Sequence, residues 1–280
     1  MASEAAQLLR LYGGTAVRVA RRGRGKAARG ARDATEWPVF VVGAPRSGTT
    51  FMAGSLGKLP GFVDLGEVGP LKVSIHELAG LPEEEAASRL RQTIERVRAL
   101  GLARRLRAIE QTPETSFVLG AALRAYPQAR VVHVVRDGRD VVCSLLEKGW
   151  LNAGRAGADD VGTAYGDYAR FWVEPERAAE FDAVNDARRA AWAWRRYLTA
   201  ARAGAPASTL DVRYEELAAD PRGAAEPLAE HLGADRELLA DALADMHAES
   251  VGRWRRDLSE NQVADVEAEA GGLLRDLGYS

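Results

Sequence analysis

Four short apolar runs punctuate the chain, and each passes into a glycine-bearing or charged stretch. They are VFVV (39–42), GFVDLGE (Gly61 to Glu67), ARVVHVVRD (Ala129 to Asp137) and STLDVRYEEL (Ser208 to Leu217). Continuous apolar runs suit strands covered on both faces, so the four are read as parallel strands. Between them the period changes to three and four. A helix is predicted from about Thr49. Another runs from Pro82 to Leu106, with Leu90, Ile94 and Val97 on one face and Glu83, Glu84 and Glu85 at the end where the helix dipole favours acids. A third runs from about Pro175 to Ala203, where Phe181, Val184, Ala187, Ala191, Trp194 and Leu198 form a stripe and Trp192 lies off it. Those tryptophans are read as core. The segments DRELLADALADMHAE and ENQVADVEAEAGGLLRDLGY form a terminal helical pair. No internal repeat is present, and the alternation predicts an α/β fold: three layers, α/β/α, around a central parallel sheet.

Composition narrows this to one large domain. The 280 residues are 46% hydrophobic, enough for a full core. The boundaries expected are a basic N-terminal arm or helix over 1–36 and the main domain over 37–280. With 38 basic against 40 acidic residues the net charge is -2, so nothing global points to nucleic acid, and any anion site must be local. A single cysteine, Cys143, cannot form an internal disulfide, and no apolar run approaches the roughly 20 residues that cross a bilayer. The start, MASEAAQLLRLYGG, lacks the pattern of a secretory signal, so the expectation is a soluble, cytoplasmic protein with no integral membrane segment. Richness in Ala, Arg and Gly points to a high-GC bacterial source. Residues 1–36 carry Arg18, Arg21, Arg22, Arg24, Lys26, Arg29 and Arg32 among Ala and Gly. They read as a poorly ordered arm or a short helix laid on the main domain. Membrane-surface binding is disfavoured because the segment lacks a bulky apolar face.

The first candidate site is the loop after VFVV. In Gly43-Ala44-Pro45-Arg46-Ser47-Gly48-Thr49-Thr50 the two glycines have the separation of the nucleoside-triphosphate loop G-x-x-x-x-G-K-[ST], but Thr49 stands where that loop needs lysine. Loop amides and the free N–H groups of a following helix converge on one spot, and the helix dipole adds positive charge there. Gly43 and Gly48 allow close approach, while Ser47, Thr49 and Thr50 add hydroxyl donors. The bland alternative, a turn leading into a helix, explains less of the string. A second anion site is predicted in VVHVVRDGRDVVCSLL. Arg136 ends a strand, where open α/β sheets bind ligands, and Ser144 follows about two helical turns on. A guanidinium fork and a hydroxyl suit one phosphate. Arg139 and Asp140 are read as forming surface or intra-loop pairs.

Together these residues resemble the sulfotransferase family that uses 3′-phosphoadenosine 5′-phosphosulfate, which implies a P-loop nucleoside-triphosphate-hydrolase-like fold. GAPRSGTT resembles the family's 5′-phosphosulfate loop, and Arg136 with Ser144 its 3′-phosphate motif. DVRYEELAADPRGAAEPLAEHLG resembles the adenine-side segment, implying a base contact by Tyr214, and SVGRWRRDLSENQ a late loop, implying a 3′-phosphate contact by Arg253 and the Gly252 amide. Arg46 where many members carry Lys resembles the branch of tyrosylprotein and bacterial sulfotransferases. In that branch a Glu about twenty residues later is the base, which implies the role for Glu67 in DLGEVG. Gln111 in EQTP departs from a frequent Lys.

Glu67 also stands on its own as a candidate base, just beyond a short strand at the edge where Arg46 and Arg136 emerge. An ordinary ion-paired glutamate is its alternative. His133, inside an apolar strand, reads as a hydrogen-bonded core histidine. Arg46 and the loop amides would stabilise charge on the leaving 5′-phosphate. No His, Cys or Asp cluster has metal-ligand spacing, so no metal is expected. The reading is a sulfotransferase acting on a hydroxyl of a small-molecule or carbohydrate acceptor, with Trp150, Tyr165, Tyr168, Phe171 and Trp172 candidates for an apolar acceptor pocket. A P-loop small-molecule kinase and a non-catalytic nucleotide-binding protein are the alternatives, and a homodimer is left open.

Overall fold

The computed structural model describes residues 2–26, 37–151, 173 and 175–279. Five parallel strands form one sheet: β1 (Val39–Val42), β2 (Phe62–Gly66), β3 (Arg107–Glu110), β4 (Arg130–Val135) and β5 (Leu210–Arg213), in the order β2-β3-β1-β4-β5. The four expected strands are present, and β3 is an addition that the hydrophobic pattern did not predict. The side chains of β1 alternate as a pleated strand requires. Phe40 and Val42 enter one apolar cluster, with Leu90, Ile94 and Val97 of α4 (Glu83–Leu100), while Val39 and Val41 enter another, with Met52 and Leu56 of α2 (Thr49–Leu56). Helices thus cover both faces, giving the three-layer α/β fold.

Two helix boundaries differ from expectation. The helix over 82–106 stops at Leu100, because the chain turns at Gly101, where an added Cβ would lie 2.6 Å from Val19. Arg98, fully buried, then donates to the carbonyls of Arg104 (3.0 Å) and Leu106 (2.8 Å) and folds the chain into β3. The helix over 175–203 is broken at Val184 and Asn185 into α7 (Ala178–Ala183) and α8 (Asp186–Gly204), and the Asn185 side chain caps α8 by accepting from the Arg188 amide at 3.0 Å. Trp192 and Trp194 are both fully buried, as core residues.

The N-terminal segment forms α1 (Ala2–Gly23), a 22-residue helix rather than a short one, and it is docked. Arg18, Arg22 and Lys26 turn toward β2 and its flanks. Arg18 Nη2 donates to the Glu67 carbonyl at 2.5 Å and Nε to that of Leu65 at 3.2 Å; Arg22 pairs with Asp64 at 2.5 Å; Lys26 donates to the Phe62 carbonyl at 3.0 Å. Burial lowers the pKa of Arg18 and Lys26 and raises that of Asp64. Among the described residues no helix is long and apolar enough to cross a membrane.

Candidate active site

The strand order reverses at β1, flanked by β3 and β4, so the loops leaving β1 and β4 open the crevice in which such sheets hold ligands. The β1–α2 loop takes its shape from two close approaches. A Cβ at Gly43 would lie 2.5 Å from the Val134 carbonyl oxygen, and one at Gly48 2.7 Å from the Tyr214 ring. Between them Arg46 is left-handed, with φ 71°, a conformation that costs a non-glycine residue energy unless something holds it. Arg136 does so: Nη1 donates to the Arg46 carbonyl at 3.1 Å and Nη2 to that of Ser250 at 2.7 Å. Its guanidinium lies 4.2 Å from the centre of the Tyr214 ring, and its buried Nε has no hydrogen-bond partner. The Trp194 indole N–H in turn donates to the Arg136 carbonyl at 3.2 Å.

Arg46 Nε donates to Ser144 Oγ at 2.9 Å, joining the loop to α6 (Gly138–Lys148). Arg46, Gly48, Thr49, Thr50, Arg136, Ser144, Tyr214 and Arg253 all line one cavity of about 410 Å³. The fold thus brings together eight of the expected donor-side residues. Ser47 is fully buried and outside that lining. Gly252 is also outside it, and its amide donates to Asp140 Oδ2 at 2.7 Å, so the arrangement turns the expected phosphate contact of that amide toward a carboxylate. Arg253 borders the cavity while paired with Glu147 and with Asp257 (2.7 Å).

Asp140 was read as a surface or intra-loop group, and the structure corrects this. It is fully buried at the start of α6 and accepts from the amides of Gly252 and Trp254, the latter at 3.0 Å. This latches the 250–254 loop over the cavity. The same loop supplies the Ser250 carbonyl to Arg136, and Ser250 Oγ lies 3.0 Å from the Tyr214 hydroxyl. Burial raises the pKa of Asp140, opposed by its two amide donors. Arg139 is also buried and pairs with Asp137 at 2.8 Å, an intra-loop pair but not a surface one.

Glu67 follows β2 directly. Its Oε2 accepts from Lys72 Nζ at 2.6 Å, its carbonyl is held by Arg18, and the next amide, of Val68, donates to Thr112 Oγ1 at 2.9 Å. Lys72 belongs to α3 (Gly69–Gly80) and is buried, whereas 40% of the Glu67 side chain is exposed. Glu67 is not among the described residues lining the donor cavity. Below it lie two fully buried acids. Glu110 accepts from the Thr112 amide (2.7 Å) and the Thr115 hydroxyl (2.9 Å), and burial pushes its carboxyl up to about 7. Glu114 accepts from the Tyr197 hydroxyl at 3.0 Å, and burial raises its pKa too, against the attraction of Lys72. Gln111, also buried, places Oε1 3.5 Å from the Thr50 hydroxyl and so ties β3 to the donor loop. His133 is a core histidine bonded to Asp211 at 3.0 Å. Trp150 lies 5.7 Å from the Arg46 guanidinium. Tyr165, Tyr168, Phe171 and Trp172 lie outside the described residues.

The sequence model of the sulfotransferase family matches residues 74–237, more than half of the chain. The chain belongs to the sulfotransferase family. The match takes in Arg136, Ser144 and Tyr214 but begins beyond Arg46 and Glu67, which rest on the geometry above. No protein with a curated description matches the sulfotransferase by sequence. Solved structures match its fold. Sulfotransferase STF1 from Mycobacterium tuberculosis H37Rv is 18% identical, with TM-score 0.52 over 84% of this chain and 76% of its own. The sulfotransferase domain from the curacin biosynthetic pathway is 13% identical, with TM-score 0.54 over 85% and 97%. Sulfotransferase STF9 from Mycobacterium avium is 13% identical, with TM-score 0.50 over 86% and 77%.

Proposed function

We propose that this sulfotransferase moves a sulfuryl group from 3′-phosphoadenosine 5′-phosphosulfate to a hydroxyl of a small-molecule or carbohydrate acceptor, with Glu67 as general base. The observation that carries the donor assignment is the convergence of Arg46, Arg136 and the α2 N-terminus on one cavity beside the Tyr214 ring. Two guanidiniums and a set of helix amides suit a ligand with two separated anionic groups, and the ring suits a base. The buried, partnerless Nε of Arg136 is a donor awaiting an acceptor oxygen.

Each residue then has a stated task. Arg136 and Ser144 hold the 3′-phosphate, and Arg253 borders it. The amides of α2, with Thr49 and Thr50, hold the 5′-phosphosulfate. The acceptor oxygen attacks sulfur, its proton passes to the Glu67 carboxylate, and the sulfur–oxygen bond to the 5′-phosphate breaks. Arg46 and the amides stabilise the charge gained by that phosphate as the product, adenosine 3′,5′-bisphosphate, forms. Lys72 keeps the Glu67 carboxylate oriented by its ion pair.

The test has two arms. Calorimetric titration with adenosine 3′,5′-bisphosphate and with adenosine 5′-phosphate is expected to show a preference for the former that the Arg136→Ala variant abolishes. A mass-spectrometric screen with isotope-labelled donor against hydroxyl acceptors is expected to yield labelled sulfate esters. Equal affinity for the two nucleotides would overturn the donor assignment, and binding without transfer to any acceptor would favour a nucleotide-binding module.

A further inference from the structure

Seven large apolar side chains stand exposed among the described residues, and five of them lie on two adjoining segments: Leu8, Leu9 and Val17 on α1, and Leu100 and Leu102 at the end of α4. Leu102 is 89% exposed and sits in the left-handed region, φ 53°, at the tip of its turn. The two segments pack together, because Val19 of α1 meets Gly101 and Gly23 meets Leu106. A cavity of about 700 Å³ along that seam is lined by Lys26, Leu102, Arg104 and Arg105.

The charge on these segments is one-sided. Residues 5–32 and residues 96–109 contain no Asp or Glu, in a chain whose acids outnumber its bases. Arg18, Arg22 and Lys26 are used internally, on β2 and its flanks. Arg21, Arg24, Arg96, Arg104 and Arg105 face solvent, and among the described residues none of these five is paired with a carboxylate. Elsewhere exposed arginines such as Arg89 and Arg124 are paired.

We propose that this face, the outer side of α1 with the Leu100–Arg105 turn, docks on an anionic lipid bilayer. Exposed leucines gain by leaving water only if the partner offers an apolar interior, and unpaired arginines around them suit a negatively charged headgroup layer. A nucleic acid would use the arginines and leave Leu102 in water. The N-terminal segment alone lacks a sufficient apolar face; the fold completes it with residues almost eighty positions later. The α1 helix runs from Leu11, against Gly69 near Glu67, to Gly23 at the opposite strand edge. A bilayer along α1 would therefore lie beside the sheet, with the donor cavity opening along the membrane rather than into it.

Sedimentation of the full chain with vesicles tests this. Expected is co-sedimentation with mixed phosphatidylserine and phosphatidylcholine vesicles, absent with phosphatidylcholine alone and reversed by salt. Arg104→Gln with Arg105→Gln is expected to weaken partitioning about 25-fold, from roughly fivefold per basic residue near an anionic surface. Leu102→Ser is expected to weaken it severalfold with unchanged binding of adenosine 3′,5′-bisphosphate and an unchanged melting temperature, since its side chain projects into solvent. Failure to bind the anionic vesicles, or binding indifferent to both variants, would overturn the proposal. So would equal affinity for a DNA duplex with Leu102→Ser silent, which would mark a general polyanion surface.

Discussion

The two sides of the site are assembled by different means. On the donor side the chemistry lies in backbone geometry: glycines at 43 and 48, a left-handed Arg46 and the first turn of α2, with side chains closing around them. On the base side the backbone is an ordinary strand end, and distant side chains fix it. Arg18 comes from α1, Lys72 from α3 and Thr112 from beyond β3. A backbone cradle needs particular residues at particular spacings and so writes a motif. A carboxylate held by long-range hydrogen bonds leaves only a glutamate followed by common residues.

The largest effect expected on this contrast comes from Glu67→Gln. Removing a general base should lower turnover by about 10²–10⁴-fold, while the donor cavity, to which Glu67 does not contribute, keeps its affinity for adenosine 3′,5′-bisphosphate. Steady-state kinetics with the acceptor from the labelled-donor screen, together with nucleotide titration, reads both. Undiminished turnover would remove Glu67 from the mechanism; lost nucleotide affinity would mean that the two sides are not separate.

A smaller, paired effect separates the scaffolds. Asp140→Ala strands two amides of the 250–254 loop and should weaken nucleotide binding about tenfold, since an unsatisfied buried donor costs roughly 1–3 kcal/mol. Asp140→Asn keeps one acceptor oxygen and should fall between. Arg18→Ala frees the carbonyls of Leu65 and Glu67 and should lower kcat about fivefold to tenfold, one hydrogen-bonded charge's worth, with nucleotide affinity unchanged. Both variants moving both quantities together would show that donor and base sides are one cooperative unit.

How legible each part was follows from the same physics. The apolar runs of β1 and β4 and the glycine-spaced loop could be read because burial on both faces and close backbone approach admit few residues. β3 escaped because its sequence, RAIE, has charges at both ends, and each has a buried task. Arg107 donates to the carbonyls of Trp37 and Leu232, both at 2.5 Å, and Glu110 holds the following turn. Asp140 escaped because an Asp beside an Arg looks like a local pair, and its partners lie more than a hundred residues away. The membrane-facing patch escaped because its leucines and arginines come from two segments that only the packing of α1 on α4 unites.

Glu110 offers the mildest way to sharpen the comparison, since it supports the base side without touching the donor cavity. Its buried carboxyl is raised from the ordinary 4.5 to about 7, so the folded chain holds that proton more tightly than the unfolded chain does. Stability contributed by the protonated group is fully present below about pH 4.5, declines as the pH rises, and is lost through about pH 7. Glu110→Gln removes the titration while its amide oxygen still accepts from Thr112, and the amide N–H₂ can donate to the Thr115 hydroxyl. Denaturant unfolding at about pH 5 and about pH 8 should therefore show a smaller loss of stability with rising pH in the variant than in the parent, with turnover little changed. If the two pH profiles coincide, the Glu110 carboxyl is ionised throughout and the turn that positions Val68 beside Glu67 is held by a charge. If they separate as expected, the base side rests on a neutral acid, and its rigidity at neutral pH depends on how firmly the surrounding core keeps that proton in place.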